Sequence, residues 1–393
     1  MASKVLGKSQ STIYDGYMEE RIGTRVRARL KEARPDLSQA EFAELVAIPA
    51  DAFSRSLNGK RAFTATELVD IAGELGTSAH WFVTGERDPF QVRYAGRHTF
   101  NHESKVHEPI DWHLAHQVLD DVALAYVQAY GDLPAPARPE RPTVASDVRA
   151  RVEKRGGPDF VRNLAAHIES EVGIDVVRIP GVDKGYALEV LGRQIIVLGE
   201  TGSWFYENWS LAHELSHVLK NELSERGDSA CDDRAAEIRA NTFAAEFLLP
   251  TGVVESVDWS NASETDLGEF LWQAGVSTMA LKNRLATLSI KPSVAVASAL
   301  EQKTQSVIGR TFAESSQNDR IAERMQAASA RRFPAHLIAA HRSGVASGVL
   351  LPDTLAWMLN LARESVATEL APAAKPIDLD WLSEQFGFPA TSD

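Results

Sequence analysis

The first 85 residues carry apolar positions at the spacing of short α-helices. Ile22, Val26 and Leu30 recur every four residues, which predicts one face of a first helix. Ser38 followed three residues later by Glu41 is typical of a capping box at the start of a second helix. Three more short helices are expected to begin at Pro49, Thr66 and Ser78. Residues 19–85 are therefore predicted to form a five-helix bundle.

Beyond this bundle the pattern changes to helices mixed with a few strands. A long helix is predicted over residues 111–129, and four prolines between Asp132 and Thr143 predict a semi-rigid linker. Next come a helix through Phe160, Leu164 and Ile168, a strand over residues 174–179 and a hairpin over residues 186–198. The chain from there to about residue 361 is expected to be mainly helical.

These elements predict a multidomain protein, mainly α with a small β-sheet. A chain of 393 residues is long for a single core, so several domains are expected. The predicted divisions are a helical bundle at 19–85, a connector helix with a Pro-rich linker at 86–143, an α+β core at 144–290 and a helical C-terminal region at 291–393.

Composition adds a cellular location to this picture. The apolar content of 44% and charged content of 24% are those of an ordinary globular protein. No run approaches the roughly 20 apolar residues that cross a bilayer, and the first residues lack the pattern of a secretory signal. The single cysteine, Cys231, excludes an internal disulfide. We therefore expect a cytoplasmic protein without a membrane partner.

Charge is distributed unevenly along the chain. The net charge of −13 argues against a molecule built as a whole to coat nucleic acid. The segment from Arg21 to Arg61, however, contains nine basic and five acidic residues, which gives it a local net charge of +4. Such asymmetry is what a DNA-binding module inside an acidic protein leaves in the sequence.

The strongest chemical motif is HExxH, formed by His213, Glu214 and His217. Two histidines four residues apart on a helix project from one face and can bind one metal ion. Glu214 is offset around the helix, in the general-base position of HExxH peptidases. A chance occurrence of the motif is the alternative, although two histidines on an otherwise apolar helix are costly to bury without a metal or a partner.

A third metal ligand is expected from the following helix. Glu237 lies twenty residues after His217, enough for the first helix to end near Asn221 and for the next to return antiparallel with Glu237 opposite the histidines. Asn241, one turn later, is predicted to accept the second N–H of a ligand histidine. Glu246 on the same helix competes for the ligand role.

Two further parts of a peptidase are expected near this helix. The preceding strand, near residues 194–198, is a candidate for binding an extended peptide by strand addition. Trp204 or Tyr206 is a candidate to flank the oxyanion, and the sequence does not choose between them.

Two segments around this motif, Leu211–His217 and Glu237–Pro250, resemble the ImmA/IrrE family of bacterial metallopeptidases. The likeness continues at Ala280–Leu285 and covers about residues 145–290. It implies a zincin-like core with a divalent ion, zinc or alternatively manganese or iron, held by the two histidines and Glu237. It also implies helix-turn-helix repressors as substrates, cleaved to release stress or mobile-element genes. Two positions depart from the family pattern: Ser216 replaces a glycine, and Asn208-Trp209-Ser210 replaces a segment expected to contact substrate.

The N-terminal bundle resembles the XRE (Cro/repressor-like) helix-turn-helix family over Leu37–Arg61 and at His80–Gly85. In that arrangement the third helix lies in the major groove. The residues expected to contact phosphates or base edges are Gln39, Ser54, Arg55, Asn58 and Lys60. Asp51 and Phe53, at the start of the third helix, are not typical base readers. The alternative is a helical bundle used for protein contact or dimerisation.

Two functions follow from these motifs. The first is a zinc-dependent endopeptidase that cleaves a helix-turn-helix repressor and carries its own DNA-binding domain. The second is a DNA-binding transcriptional regulator, or an antitoxin-like protein, in which the metallopeptidase fold is a sensory or structural module. The expected partners are a protein substrate and DNA. The sequence leaves open whether the chain also forms a homodimer.

Overall fold

The computed structural model of the chain describes residues 22–85, 92–95, 98–101, 106–109, 112–133, 136, 140–182, 184–225, 234–313 and 317–370. It divides into two compact units, residues 1–332 and residues 333–393. No helix among the described residues is long and apolar enough to cross a membrane.

The N-terminal segment forms the five short helices that the periodicity predicts. They are α1 (22–33), α2 (Gln39–Leu45), α3 (Ala50–Leu57), α4 (Ala65–Glu74) and α5 (Ala79–Thr84). The capping box of Ser38 and Glu41 is confirmed, and Ser78 caps α5 as predicted. α4 begins at Ala65, one residue before the expected start at Thr66, and Thr64 caps it in a second capping box with Glu67. Apolar side chains from all five helices share one core.

Three arginines of α1 donate to C-terminal carbonyls of three other helices in the bundle. Arg25 donates to the carbonyl of Phe82 (2.7 Å) at the end of α5. Arg27 donates to that of Leu57 (3.2 Å) at the end of α3, and Arg29 to that of Leu75 (3.0 Å) at the end of α4. The last carbonyls of a helix have no partner within it, so these cationic donors stabilise three helix ends at once.

The central sheet has strand order β4-β6-β5-β1-β7. The strands are β1 (Arg93–Ala95), β4 (Asp175–Ile179), β5 (Tyr186–Val190), β6 (Arg193–Gly199) and β7 (Ser224–Glu225); β2 (His98–Asn101) and β3 (Val106–Pro109) form a separate hairpin. The β5–β6 hairpin is confirmed: Leu191 and Gly192 both have positive φ, 52° and 73°, as a tight two-residue hairpin turn requires. Among the described strands, only β4 and β6 run parallel.

The predicted connector contributes a strand, β1, to this sheet. β1 lies within residues 86–143 and pairs with β5 on one side and β7 on the other. Tyr94 of β1 is buried, and its hydroxyl bonds Asp120 (3.0 Å) on α6 (Trp112–Tyr130). Residues 134–135 and 137–139 of the predicted linker lie outside the described residues.

The remaining helices of the first unit surround the sheet and its two central helices. The expected single helix over Phe160–Ile168 is instead a 3-10 turn (Phe160–Asn163), α8 (Leu164–His167) and a π turn (Ile168–Val172), after α7 (Ala145–Gly156), which the pattern did not predict. The two central helices are α9 (Trp204–Leu219) and α10 (Arg234–Leu248). They are followed by α11 (Thr251–Glu255), α12 (Glu264–Ala274), α13 (Thr278–Thr287), α14 (Val294–Leu300), α15 (Thr304–Thr311) and α16 (Gln317–Ser329).

The second unit contains three described helices, α17 (Ala335–Ala346), α18 (Pro352–Leu359) and α19 (Arg363–Glu369). Leu337 and Leu355 are fully buried, and Ile338 and Leu359 pack on the small cluster around Leu355.

Candidate metal centre

The HExxH segment lies in the C-terminal half of α9, in which eleven of the sixteen residues are buried. α9 buries both its sheet-facing side and the side against α10, so that His217 is 3% exposed and Glu214 is 4% exposed. The two histidines are one turn apart on the face toward α10. α10 returns beside α9 after a loop and brings Glu237, in its first turn, opposite both rings.

The three predicted ligand side chains converge on one point. His213 Nε2 and His217 Nε2 are 3.3 Å apart. Glu237 Oε2 lies 3.3 Å from His213 Nε2, and Glu237 Oε1 lies 3.5 Å from His217 Nε2. Two ligands of a tetrahedral ion, each about 2.0–2.1 Å from it, are separated by about 3.3 Å. The two imidazole nitrogens and the carboxylate oxygens of Glu237 therefore lie at about the spacing expected of ligands that share one ion. Among the described residues this is the one group of three His, Cys, Asp or Glu side chains close enough to share an ion.

Glu214 is positioned beside this group without joining it. Burial raises the pKa of its carboxyl, and the two histidines only partly oppose that effect. Its Oε2 atom is buried and has no hydrogen-bond partner in the described part of the chain. An ideal Cβ on Gly185 would stand 2.7 Å from Glu214 Cγ, so only a glycine at 185 leaves room for this carboxylate.

The electrostatics of the group favour an added positive charge. Burial alone would lower the pKa of His217, but the hydrogen bonds that its ring makes to the carboxylates of Glu222 and Glu237 raise it to about 10. The pKa of Glu237, although burial pushes it up, is held well below its ordinary value by hydrogen bonds with the two histidines. Three carboxylates around two imidazoles thus stabilise a cation at the centre, and a divalent metal ion fits both the donor types and their spacing.

A residue that the sequence reasoning missed, Glu222, contacts the second nitrogen of a ligand histidine. Its Oε2 lies 2.9 Å from His217 Nδ1, and its Oε1 accepts two bonds from Arg239, at 3.0 Å and 2.8 Å. This contact was predicted for Asn241. The exposed Asn241 amide instead donates to the carbonyl of Glu237, 2.9 Å away on its own helix. A glutamate five residues after HExxH was the available signal.

Glu246, the competing ligand, is engaged elsewhere. It forms an ion pair with Arg284 at 2.8 Å and is half exposed.

The expected oxyanion and substrate residues do not lie at the site. Trp204 and Tyr206 precede His213 by nine and seven residues, which is more than about 10 Å along a helix. Trp204 is buried against Trp272. Asn208 is 5% exposed and donates to the carbonyls of Val161 and Gly275 (3.3 and 3.0 Å), so it is a core residue and not a substrate contact.

The predicted peptide-binding strand is also wrong. β6 has β4 on one side and β5 on the other, and therefore presents no free edge to a peptide. The sequence of residues 194–198 could not exclude an edge strand, because a short apolar run does not show how many neighbouring strands a strand has.

The predicted DNA-contacting residues are all exposed. Gln39 opens α2, Ser54 and Arg55 lie on α3, and Asn58 and Lys60 follow it. Asn58 donates to the carbonyl of Ser54 and accepts from Arg27. Phe53 is a core residue, 1% exposed. Its aromatic ring is therefore not part of the surface of α3 and is no argument against DNA binding by that surface. Asp51 is exposed and lies 3.5 Å from Arg55.

Comparison with known proteins gives one match. Residues 169–286 fit the family model Peptidase_M78, described as the IrrE N-terminal-like domain. No curated protein and no solved structure matches the chain. The matched segment contains α9, α10 and all three converging ligands. It supports the ImmA/IrrE peptidase family for this part of the chain, and with it a metallopeptidase-type function.

Proposed function

We propose that this chain is a zinc-dependent endopeptidase that cleaves a helix-turn-helix transcriptional repressor and so derepresses stress or mobile-element genes. The observation that carries the proposal is the convergence of His213, His217 and Glu237 at tetrahedral spacing beside a buried Glu214. The ImmA/IrrE resemblance supports the substrate class. Because repressors and their operators are cytoplasmic, we place the activity there.

Each side chain has a distinct role in this proposal. His213 and His217 offer their Nε2 lone pairs and Glu237 one carboxylate oxygen to the ion. Manganese or iron are the alternatives to zinc for this donor set. When bound, the ion supplies Lewis-acid polarisation of a peptide carbonyl. Glu214 acts as the general base: burial raises the pKa of its carboxyl, and a carboxylate with a raised pKa is a stronger base.

The test separates proton transfer from metal binding. Glu214→Gln keeps the volume and polarity of the side chain but removes the base. We expect it to retain the metal content of the wild type and its melting temperature, while cleavage of a co-expressed candidate repressor stops. His217→Ala is the control that loses metal and cleavage together. Intact cleavage by Glu214→Gln would refute the proposal.

A second function is proposed for the N-terminal bundle, namely DNA binding. The supporting observation is that all five candidate contact residues are exposed, on or beside α2 and α3. Against it, Arg25, Arg27 and Arg29 bind helix ends within the bundle, so part of the local positive charge is used internally. Arg55→Ala and Lys60→Ala should each weaken operator binding and reduce its salt dependence. A regulator without peptidase activity would bind an operator in a metal-dependent way and leave every co-expressed repressor intact.

A further inference from the structure

His217 makes contacts through both of its ring nitrogens. Nε2 faces His213 and Glu237, and Nδ1 faces Glu222 Oε2 at 2.9 Å. The His217 side chain is 4% exposed and that of Glu222 is 18% exposed, so water competes little for this bond. If Nδ1 carries the proton and donates to the carboxylate, the lone pair of Nε2 is left toward the ligand group. A carboxylate in this position therefore sets which nitrogen is free.

Glu222 also connects the two helices that supply the ligands. It follows α9, and its Oε1 accepts from Nε and Nη2 of Arg239 on α10. Arg239 is two residues beyond Glu237. The contacts therefore close a ring that runs from His217 to Glu222, to Arg239, along α10 to Glu237, and back to His217.

The loop that carries Glu222 is itself held. Arg93 of β1 donates to the carbonyl of Leu223, the next residue, and pairs with Glu189 of β5 at 3.4 Å. β1 precedes the segment that matches the peptidase family, so a strand from outside that segment fixes the position of Glu222.

We propose that Glu222 and Arg239 form a positioning pair for the metal centre. The pair holds the His217 ring with Nε2 toward the ion, and fixes the register of α10 so that Glu237 completes the ligand set. This inference rests on the proposed metal-dependent function, and it adds two residues that HExxH and the third ligand do not include. Neither residue belongs to the group of three converging side chains.

The chain offers a matched control on the same helix. Glu246 of α10 also pairs with an arginine, Arg284, at 2.8 Å, but it contacts none of the three ligands. Removing Glu246 breaks a glutamate–arginine pair of α10 without disturbing the ring of contacts. A loss of metal affinity that comes only from loosening α10 would therefore appear in Glu246→Ala as well.

The experiment measures Zn²⁺ affinity of the full chain by competition with a chromophoric chelator, in wild type, Glu222→Ala, Glu222→Gln, Arg239→Met and Glu246→Ala. We expect Glu222→Ala to bind Zn²⁺ about 10- to 100-fold more weakly. Glu222→Gln should lose less, because its amide oxygen still accepts from Nδ1–H. Arg239→Met should also lose less than Glu222→Ala, and Glu246→Ala should equal the wild type.

A spectroscopic readout separates positioning from general stability. With Co²⁺ in place of zinc, the visible absorption of Glu222→Ala should change in position or intensity, whereas that of Glu246→Ala should match the wild type. The melting temperature of the metal-free protein should be similar in the two variants.

The inference is overturned if Glu222→Ala binds Zn²⁺ as tightly as the wild type with an unchanged Co²⁺ spectrum, or if Glu246→Ala loses as much affinity. These outcomes leave the proposed function standing, because the wild type still binds metal. Conversely, weak zinc binding by Glu222→Ala together with full cleavage by Glu214→Gln would support the positioning pair and reject the proposed role of Glu214.

Discussion

Gly185 lies immediately before β5 and directly against Glu214, and replacing it by alanine is a small change with a calculable effect. The added Cβ would stand 2.7 Å from Glu214 Cγ, 3.1 Å from Oε1 and 3.3 Å from Cδ. Non-bonded carbon atoms settle at about 3.5–4.0 Å. The Glu214 side chain must therefore withdraw by about 1 Å, or the start of β5 must move away by the same distance.

This displacement predicts a large loss of activity with little loss of metal. A misplacement of about 1 Å in a reacting group lowers a rate by about 100-fold. The three atoms nearest to the new methyl group all belong to Glu214, and none belongs to His213, His217 or Glu237. Crowding in the core should lower the free energy of unfolding by about 1–3 kcal/mol.

The assay compares Gly185→Ala with Gly252→Ala, whose added Cβ would meet nothing within 4 Å. Cleavage of a co-expressed candidate repressor, zinc content and urea unfolding are measured for both. Gly252→Ala lies in α11 and should cleave normally, with stability unchanged or raised by up to about 1 kcal/mol. Wild-type cleavage by Gly185→Ala would refute the reasoning, because it would mean that Glu214 is free to move without consequence.

Three further substitutions test other parts of the structure. Asn208→Leu removes two buried donors from the carbonyls of Val161 and Gly275, so urea unfolding should show a loss of about 2 kcal/mol; no loss would mean the bonds are not formed. Ser216→Ala removes a buried hydroxyl that has no partner among the described residues, so stability should stay constant or rise by about 1 kcal/mol, and a clear fall would contradict this. Arg25→Ala should destabilise the N-terminal bundle by about 1–2 kcal/mol in thermal unfolding, and an unchanged transition would show that α5 needs no cap from α1.

Local sequence rules predicted the elements that local chemistry determines. The capping box of Ser38, the cap at Ser78 and the turn at Leu191-Gly192 each depend on residues within a few positions of one another. The return of Glu237 to the histidines was predictable for a related reason: a helix, a loop of limited length and a second helix leave few ways to pack two apolar faces.

Contacts between distant segments were not predictable in this way. Glu222 and Asn241 are both polar residues at plausible distances from His217, and only the packing of α10 on α9 decides which one reaches Nδ1. The interior position of β6 in the sheet depends on its pairing with β4, and the addition of β1 depends on a strand more than ninety residues away in sequence. Gly185 gave no signal, because its importance comes from a side chain on α9.

The central claim is that two imidazoles and one carboxylate of this chain bind a divalent metal ion. X-ray absorption at the zinc edge, on the purified full chain reconstituted with zinc, tests it most directly. The structure predicts one equivalent of zinc with two imidazole nitrogens at about 2.0–2.1 Å and a carboxylate oxygen at about 2.0–2.2 Å, and loss of one imidazole in His213→Ala. A spectrum with only oxygen ligands, or one unchanged in His213→Ala, would contradict it.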